Sequence, residues 1–457
     1  MSLTCFVGID LGSTTTKAVI LGEGAQVLGR GITNSRSNYD LACQVARTEA
    51  YINARFTLFA RHLPEGLSLD RVQILSALEL QFRREQFLSQ YEVLRHEMEK
   101  EAAAPVHSEG VREVPSHLAV LMDTVAKEAE SMFRPGYKRG SDFFRDQVGS
   151  LYSKAAERAA VPGKAPFDVL MSLYDKCILK VENHALDLSF GTCIKRARER
   201  TLGALEADNA GKFGANERKA VDEAIHRAVE TGLREANTVG TGYGRARLPF
   251  PKEQIRSEIL CHGLGAHLMF PKTATVLDIG GQDTKAIQVD PEGIVTSFQM
   301  NDRCAAGCGR YLGYIADELG MGLHELGPMA QKSRHQVKIN STCTVFAGAE
   351  LRERLSLGQK REDILSGLHR AIILRAMSLL ARSGGIKNEF TFTGGVANNV
   401  AAVEALKKLV AENYASGITM NISPNSIYTG ALGAAMFALR SGEGQAMTAS
   451  SAEGRSV

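Results

Sequence analysis

At 457 residues the chain is too long for one ordinary core and predicts two or three domains. Its 54 Lys and Arg against 51 Asp and Glu leave a formal charge of +3, a near balance that argues against a nucleic-acid binder and against an acidic tail protein. With 44% hydrophobic residues and 44 glycines, it has material for a buried core and for several phosphate-type loops, which excludes disorder over most of its length.

The opening stretch, MSLTCFVGIDLG, has no basic leader region and carries Asp10 inside its apolar run, so it predicts a strand and not a secretory signal. That strand runs into GIDLGSTTTK, where a carboxylate (Asp10) and a glycine corner (Gly12) precede the hydroxyls of Ser13, Thr14 and Thr15 and the ammonium of Lys17. A glycine there lets backbone N–H groups approach phosphate oxygens without a Cβ in the way, while the hydroxyls donate and Lys17 neutralises charge. The same ingredients also make a plain hairpin turn. KAVILG continues as the next strand.

Glycine usage then drops: residues 41–230 hold 10 of the 44, and the flanking 267 residues hold the other 34. In that poor region, runs such as ALELQFRREQFLSQYEVLRHEMEKEAAA place apolar residues at helical spacing, with breaks at Pro105, Pro115, Pro135 and Pro162. The pattern predicts a mostly helical insertion over 41–231 that carries no catalytic motif and is available for docking other subunits. It splits a first α/β domain (1–40 with 232–270) from a second (271–440), and the small, polar stretch 441–457 reads as a disordered tail.

After the insertion, VGTGYGRAR at 239–247 lacks dinucleotide-type spacing and reads as a strand end and turn. Glu258 and His262, four apart in SEILCHGLGAH, fit a satisfied structural pair better than a catalytic one. ATVLDIGG and TKAIQVD are strands around a second corner, DIGGQDTK, which repeats the first with Asp278, Gly280 and Gly281 and adds Gln282 as a water-positioning candidate. Two such corners suggest paired domains clamping a nucleotide, with Asp10 and Asp278 holding Mg²⁺ largely through water. FTFTGGVANN offers Gly394, Gly395 and Asn398 as a flat surface for a base and ribose. RYLGYIADELG, AELRERL, ILSGLHRAIILRAMSLLAR and VEALKKLVAE have helical periodicity. No uncharged apolar run reaches the roughly 18 residues that span a bilayer, so the reading is a cytoplasmic protein with no membrane partner. No GxxxxGK[ST] motif supports a P-loop.

Eight cysteines in that compartment are expected as free thiols. Cys304 and Cys343 each precede a helical pattern, where oriented N–H groups lower a thiol pKa and favour an anionic ligand or iron-sulfur cluster. Two thiolates fall short of the four a cubane cluster needs, so a second chain would supply the others. The alternative is that both are small buried hydrophobes.

The order of the two Asp-Gly corners and the late TGG resembles the acetate and sugar kinase, Hsp70 and actin (ASKHA) superfamily over residues 1–35 and roughly 235–440. This implies duplicated α/β domains around a nucleotide cleft. GIDLGSTTTK, DIGGQDTKAI, MNDRCAAGCGRYL and INSTCTVFAGAE together resemble the BadF/BadG/BcrA/BcrD/HgdC ATPase family, which includes benzoyl-CoA reductase subunits and activators of 2-hydroxyacyl-CoA dehydratases. The resemblance implies ATP and Mg²⁺ as ligands and one [4Fe-4S] cluster shared between two protomers through Cys304 and Cys343 of each. Activators commonly carry Thr where this chain has Cys308, which is read as a bystander.

Because the chain carries an insertion that shorter members lack, the resemblance points to the larger ATPase subunit of an ATP-dependent benzoyl-CoA reductase. Such a subunit pairs with a related smaller ATPase subunit, takes electrons from reduced ferredoxin and passes them to catalytic reductase subunits. A dehydratase activator and a cluster-free small-molecule kinase of the same fold are the alternatives.

Overall fold

The computed structural model describes residues 2–35, 38–103, 113–137, 143–183, 188–209, 211–243, 248, 250–301, 309–335, 337–339, 344–414 and 417–453. The chain divides into two compact units, Ile52–Gly232 and, separately, Ser2–Tyr51 together with the chain from Leu233 onward.

In the discontinuous unit, β1 (Ser2–Leu11), β2 (Thr15–Gly22) and β3 (Val27–Asn34) form an antiparallel meander. Phe6 to Leu11 is buried without a break, as a central strand covered on both faces must be. β3 escaped the sequence reading because VLGRGITN spends two of its eight positions on glycine and one on arginine. Helix α1 (Tyr39–His62) follows and carries the chain out of this unit.

The helical unit comprises α2 (Arg71–Ala102), α3 (Val114–Ala129), α4 (Phe144–Ala159), α5 (Phe167–Asn183), α6 (Phe190–Asp208) and α7 (Ala215–Glu230). Asp70 caps α2 by accepting from Val72 N–H at 3.0 Å. The unit has its own core, in which Leu94, Met98, Leu118, Val148, Tyr152 and Ile178 are fully buried. The Tyr152 hydroxyl donates to Leu170 O at 2.9 Å, which satisfies the one polar atom that ring brings inside.

Returning from it, β4 (Gly232–Thr241) completes a first sheet of order β3-β2-β1-β4. Helix α8 (Glu258–Met269) leads to the second sheet, built from β5 (Thr275–Ile279), β6 (Thr284–Val289) and β7 (Val295–Asn301). Then come α9 (Gly309–Glu318), α10 (Leu323–Ala330), α11 (Thr344–Ser356) and α12 (Arg361–Ser383). The chain closes with β8 (Phe390–Thr393), α13 (Val400–Asn413), β9 (Met420–Asn421) and α14 (Thr429–Glu453). The second sheet has order β7-β6-β5-β8-β9, with β8 parallel to β5 and β9 parallel to β8. Each sheet thus begins as a three-stranded meander and gains further strands beside the first strand of that meander.

Helix α12 is long and apolar enough to cross a membrane by length and composition, but Ile364, Leu365, Leu368, Ile372, Ile373 and Leu380 bury it in the core of the second sheet. Helix α14 extends through 441–453, a stretch that composition reads as tail. Its Ala, Met and Gln residues need only propagate a helix already nucleated upstream, which costs far less than starting one.

Candidate functional site

The two corners are built alike. In the first hairpin Asp10 stands opposite Lys17, and in the second Asp278 stands opposite Lys285, so each corner sets a carboxylate beside an ammonium across the ladder. Asp10 is 2% exposed, and its Oδ2 lies 3.4 Å from Lys17 Nζ. Lys285 is buried more deeply. Its Nζ lies 2.8 Å from Asp283 Oδ1, 2.9 Å from Glu258 Oε1 and 3.5 Å from Asp278 Oδ1. Burial alone would push the Lys285 pKa down, but Asp278, Glu258 and Asp283 outweigh it and hold the pKa above the usual lysine range. Burial would likewise raise the Asp278 pKa, yet His262 and Lys285 pull it well below the usual carboxylate range. Thr393 Oγ1 donates to Asp278 Oδ2 at 2.8 Å, tying the end of β8 to the same carboxylate.

The loop at 12–15 is pinned from behind. Ser35 Oγ donates to Gly12 O at 2.6 Å, its N–H donates to Thr14 O at 2.8 Å, and Thr16 Oγ1 lies 2.9 Å from Ser35 Oγ. The Thr14 hydroxyl, beside that of Ser13, comes so close to Gly281 that a Cβ there would run into it, so the two glycine corners meet. Gly309 and Arg310, the first residues of α9, donate their N–H groups to Gly280 O at 2.8 Å and Gly281 O at 2.7 Å. A Cβ on Gly309 would lie 3.2 Å from Gly280 O and 3.4 Å from Val396 Cγ2, which brings the turn Gly395–Asn398 beside the second corner. Gly394 opens that turn at φ +85°, a left-handed position that glycine holds without strain, with its Cα against the Ile279 backbone.

The structure therefore gathers Asp10, Gly12, Ser13, Thr14, Lys17, Asp278, Gly280, Gly281 and Gly394 from the residues read as functional. Thr15 begins β2, Gln282 is half-buried in the second corner, and Gly395 and Asn398 are exposed. Cys304, Cys308 and Cys343 lie outside the described residues.

Asp10 Oδ1 is buried and has no hydrogen-bond partner among the described residues. An orphaned carboxylate oxygen suits a cation or its water shell, so the donor set fits a hydrated Mg²⁺, which borrows only one or two carboxylates. No group of three or more His, Cys, Asp or Glu set to hold a metal occurs among the described residues.

Sequence reasoning passed over three contributors. Lys285 had a signal, since it follows Asp278 at the spacing by which Lys17 follows Asp10. Gly242, in the glycine cluster read as a plain strand end, abuts the Asp10 carboxyl. His262, read as structural, sits 3.1 Å (Nδ1) from Asp278 Oδ2.

Comparison with known proteins gives a consistent set. A profile of the BadF/BadG/BcrA/BcrD ATPase family matches residues 7–438. The (R)-2-hydroxyglutaryl-CoA dehydratase activating ATPase of Acidaminococcus fermentans is 38% identical over 247 residues, 54% of this chain and 91% of that protein. A benzoyl-CoA reductase subunit of Thauera aromatica is 30% identical over 223 residues, 48% and 78% of the respective chains. Among solved structures, the activator of 2-hydroxyisocaproyl-CoA dehydratase from Clostridium difficile with bound ADPNP superposes with a TM-score of 0.51 at 21% identity, covering 97% of each chain. The fold is accordingly the duplicated α/β fold of the actin, Hsp70 and sugar-kinase superfamily, enlarged here by a helical insertion.

Proposed function

Because the chain belongs to the BadF/BadG/BcrA/BcrD ATPase family, we propose that it binds and hydrolyses ATP at the paired corners and serves as the ATP-driven electron activator of a 2-hydroxyacyl-CoA dehydratase-type partner. The observation that carries the ATPase part is the duplicated Asp–Lys corner, Asp10 with Lys17 and Asp278 with Lys285, whose loops touch at Thr14 and Gly281. Lys17 and the Thr14 hydroxyl would steady phosphate oxygens, and Gly280 and Gly281 would let backbone approach them. Asp10, with its unpaired oxygen, and Asp278 would hold Mg²⁺, which when bound offsets the charge of the phosphates. Gln282 is proposed to orient the attacking water, and Gly394, Gly395 and Asn398 to border the nucleoside.

The choice of partner follows from likeness. Identity to the dehydratase activating ATPase is 38%, against 30% to the reductase protein, which favours a dehydratase over the benzoyl-CoA reductase that the insertion suggested. A [4Fe-4S] cluster shared between two protomers through Cys304 and Cys343 would supply the one-electron chemistry. Reduced ferredoxin would be the donor, and the helical unit would dock the catalytic subunits. Helix α9, which begins five residues after Cys304 in the sequence, is tied by two backbone hydrogen bonds to Gly280 and Gly281.

Anaerobic purification of the full chain with its associated polypeptides tests this. The expected result is ATP hydrolysis, iron and acid-labile sulfide that disappear in Cys304→Ser and Cys343→Ser, and reduction of a co-purified dehydratase component. Co-purification with benzoyl-CoA reductase subunits would restore the reductase reading. Phosphorylation of a small molecule by protein that holds no iron or acid-labile sulfide would replace both.

A further inference from the structure

His262 is 6% exposed on α8, in the middle of the site. Its Nδ1 is 3.1 Å from Asp278 Oδ2, and its Nε2 is 3.9 Å from Glu258 Oε1. The opposite side of the ring points at the other corner: a Cβ built on Gly430 would lie 2.7 Å from His262 Nε2 and 2.9 Å from Asp10 Oδ2. Both polar atoms thus converge on the first turn of α14 at a residue that has no side chain to separate them. Asp10 belongs to the first sheet and Asp278 to the second, and the imidazole stands between their carboxylates. The other charged groups facing this cluster are Lys17, 3.4 Å from Asp10 Oδ2, and Lys285, which lies 2.9 Å from Glu258 Oε1 and 3.5 Å from Asp278 Oδ1.

We propose that His262 is the positioning residue of this ATPase site, spacing the Asp10 carboxylate of the first corner from the Asp278 carboxylate of the second so that the two corners, with Lys17 and the Thr14 hydroxyl, meet the phosphate groups in one fixed geometry. The inference rests on the ATPase reading given above. It is a claim about alignment, and alignment is sensitive: displacing a reacting group by about 1 Å costs on the order of 100-fold in rate. A histidine that only filled space would be replaceable by leucine, because the volume is similar and the core would stay closed.

The test uses the full chain as His262→Leu, His262→Asn and Gly430→Ala beside the unaltered protein. Asparagine keeps a polar group near the Nδ1 position, whereas leucine keeps none. The measurements are ATP affinity by equilibrium titration, single-turnover hydrolysis and thermal melting without nucleotide. In His262→Leu, affinity should change by less than about threefold while the hydrolysis rate falls about 100-fold, and His262→Asn should recover about tenfold of that loss. Gly430→Ala, which removes no charged group but forces a methyl between His262 and Asp10, should also lower the rate more than the affinity. It carries the test if the leucine variant does not fold.

A folded leucine variant hydrolysing ATP within threefold of the unaltered protein overturns the inference and leaves the ATPase reading standing. The inference also falls if Asn shows no recovery, or if Gly430→Ala weakens affinity and rate equally. An unaltered protein that binds no ATP overturns the ATPase reading itself.

Discussion

A lysine ammonium with 1% of its side chain in solvent persists only where carboxylates surround it, and Lys285 has three within 3.5 Å. Lys285→Met would leave Glu258, Asp278 and Asp283 as a buried negative cluster. The expected loss is about 3–5 kcal/mol, read as a lower denaturant midpoint in equilibrium unfolding. His369 is the opposite case. On α12 its Nδ1–H donates to Leu365 O at 2.7 Å, and its Nε2 is buried without a hydrogen-bond partner among the described residues. Burial pushes its pKa below the ordinary 6.5, so below that pH the unfolded chain takes up a proton that the folded chain refuses. Stability should therefore fall with decreasing pH below 6.5, by about 1.4 kcal/mol per pH unit until the folded pKa is reached. His369→Leu should flatten that slope; an unchanged slope would assign the acid sensitivity to other groups. The contrast explains what single letters conveyed. Asp10 and Asp278 stood out in the sequence because each sits beside glycines at a strand end. His262 and Lys285 looked ordinary because their importance lies in which carboxylates face them.

Among the elements, α8 and α14 cross so tightly that Gly265 lies against Thr429 O and Gly433 against Cys261 O. Carbonyl oxygens on a helix cannot swing aside as a flexible side chain does. Gly433→Ala should consequently cost at least about 1–3 kcal/mol, visible as a lower melting temperature. Gly313→Ala in α9, where a Cβ would meet nothing within 4 Å, should stabilise the protein by up to about 1 kcal/mol. Equal effects of the two changes would mean that the crossing is looser than described. Strands β1, β2, β5, β6 and β8 were legible as apolar runs ending in glycine or at a charged corner. β7 was not, because VTSFQMN is largely exposed and lacks the continuous apolar signal of a covered strand.

For the molecule as a whole, the fall in glycine content predicts a helical segment over 41–231, and the structure separates Ile52–Gly232 as a unit with its own buried core. Residues 52–232 expressed alone should show helical circular dichroism and one cooperative melt. A non-cooperative or unfolded segment would mean that the core needs the rest of the chain. The sequence by itself determined the composition of the two Asp-Gly corners, their duplication and their order along the chain, because those features are local and repeat as short strings. Only tertiary structure decided that His262 reaches from one corner to the other, that Lys285 serves three carboxylates, and that the start of α9 is bonded to Gly280 and Gly281. Except for Asp283 and Asp278, two and seven positions from Lys285, those contacts join residues more than ten positions apart, and a buried charge takes its role from the neighbours that folding brings to it.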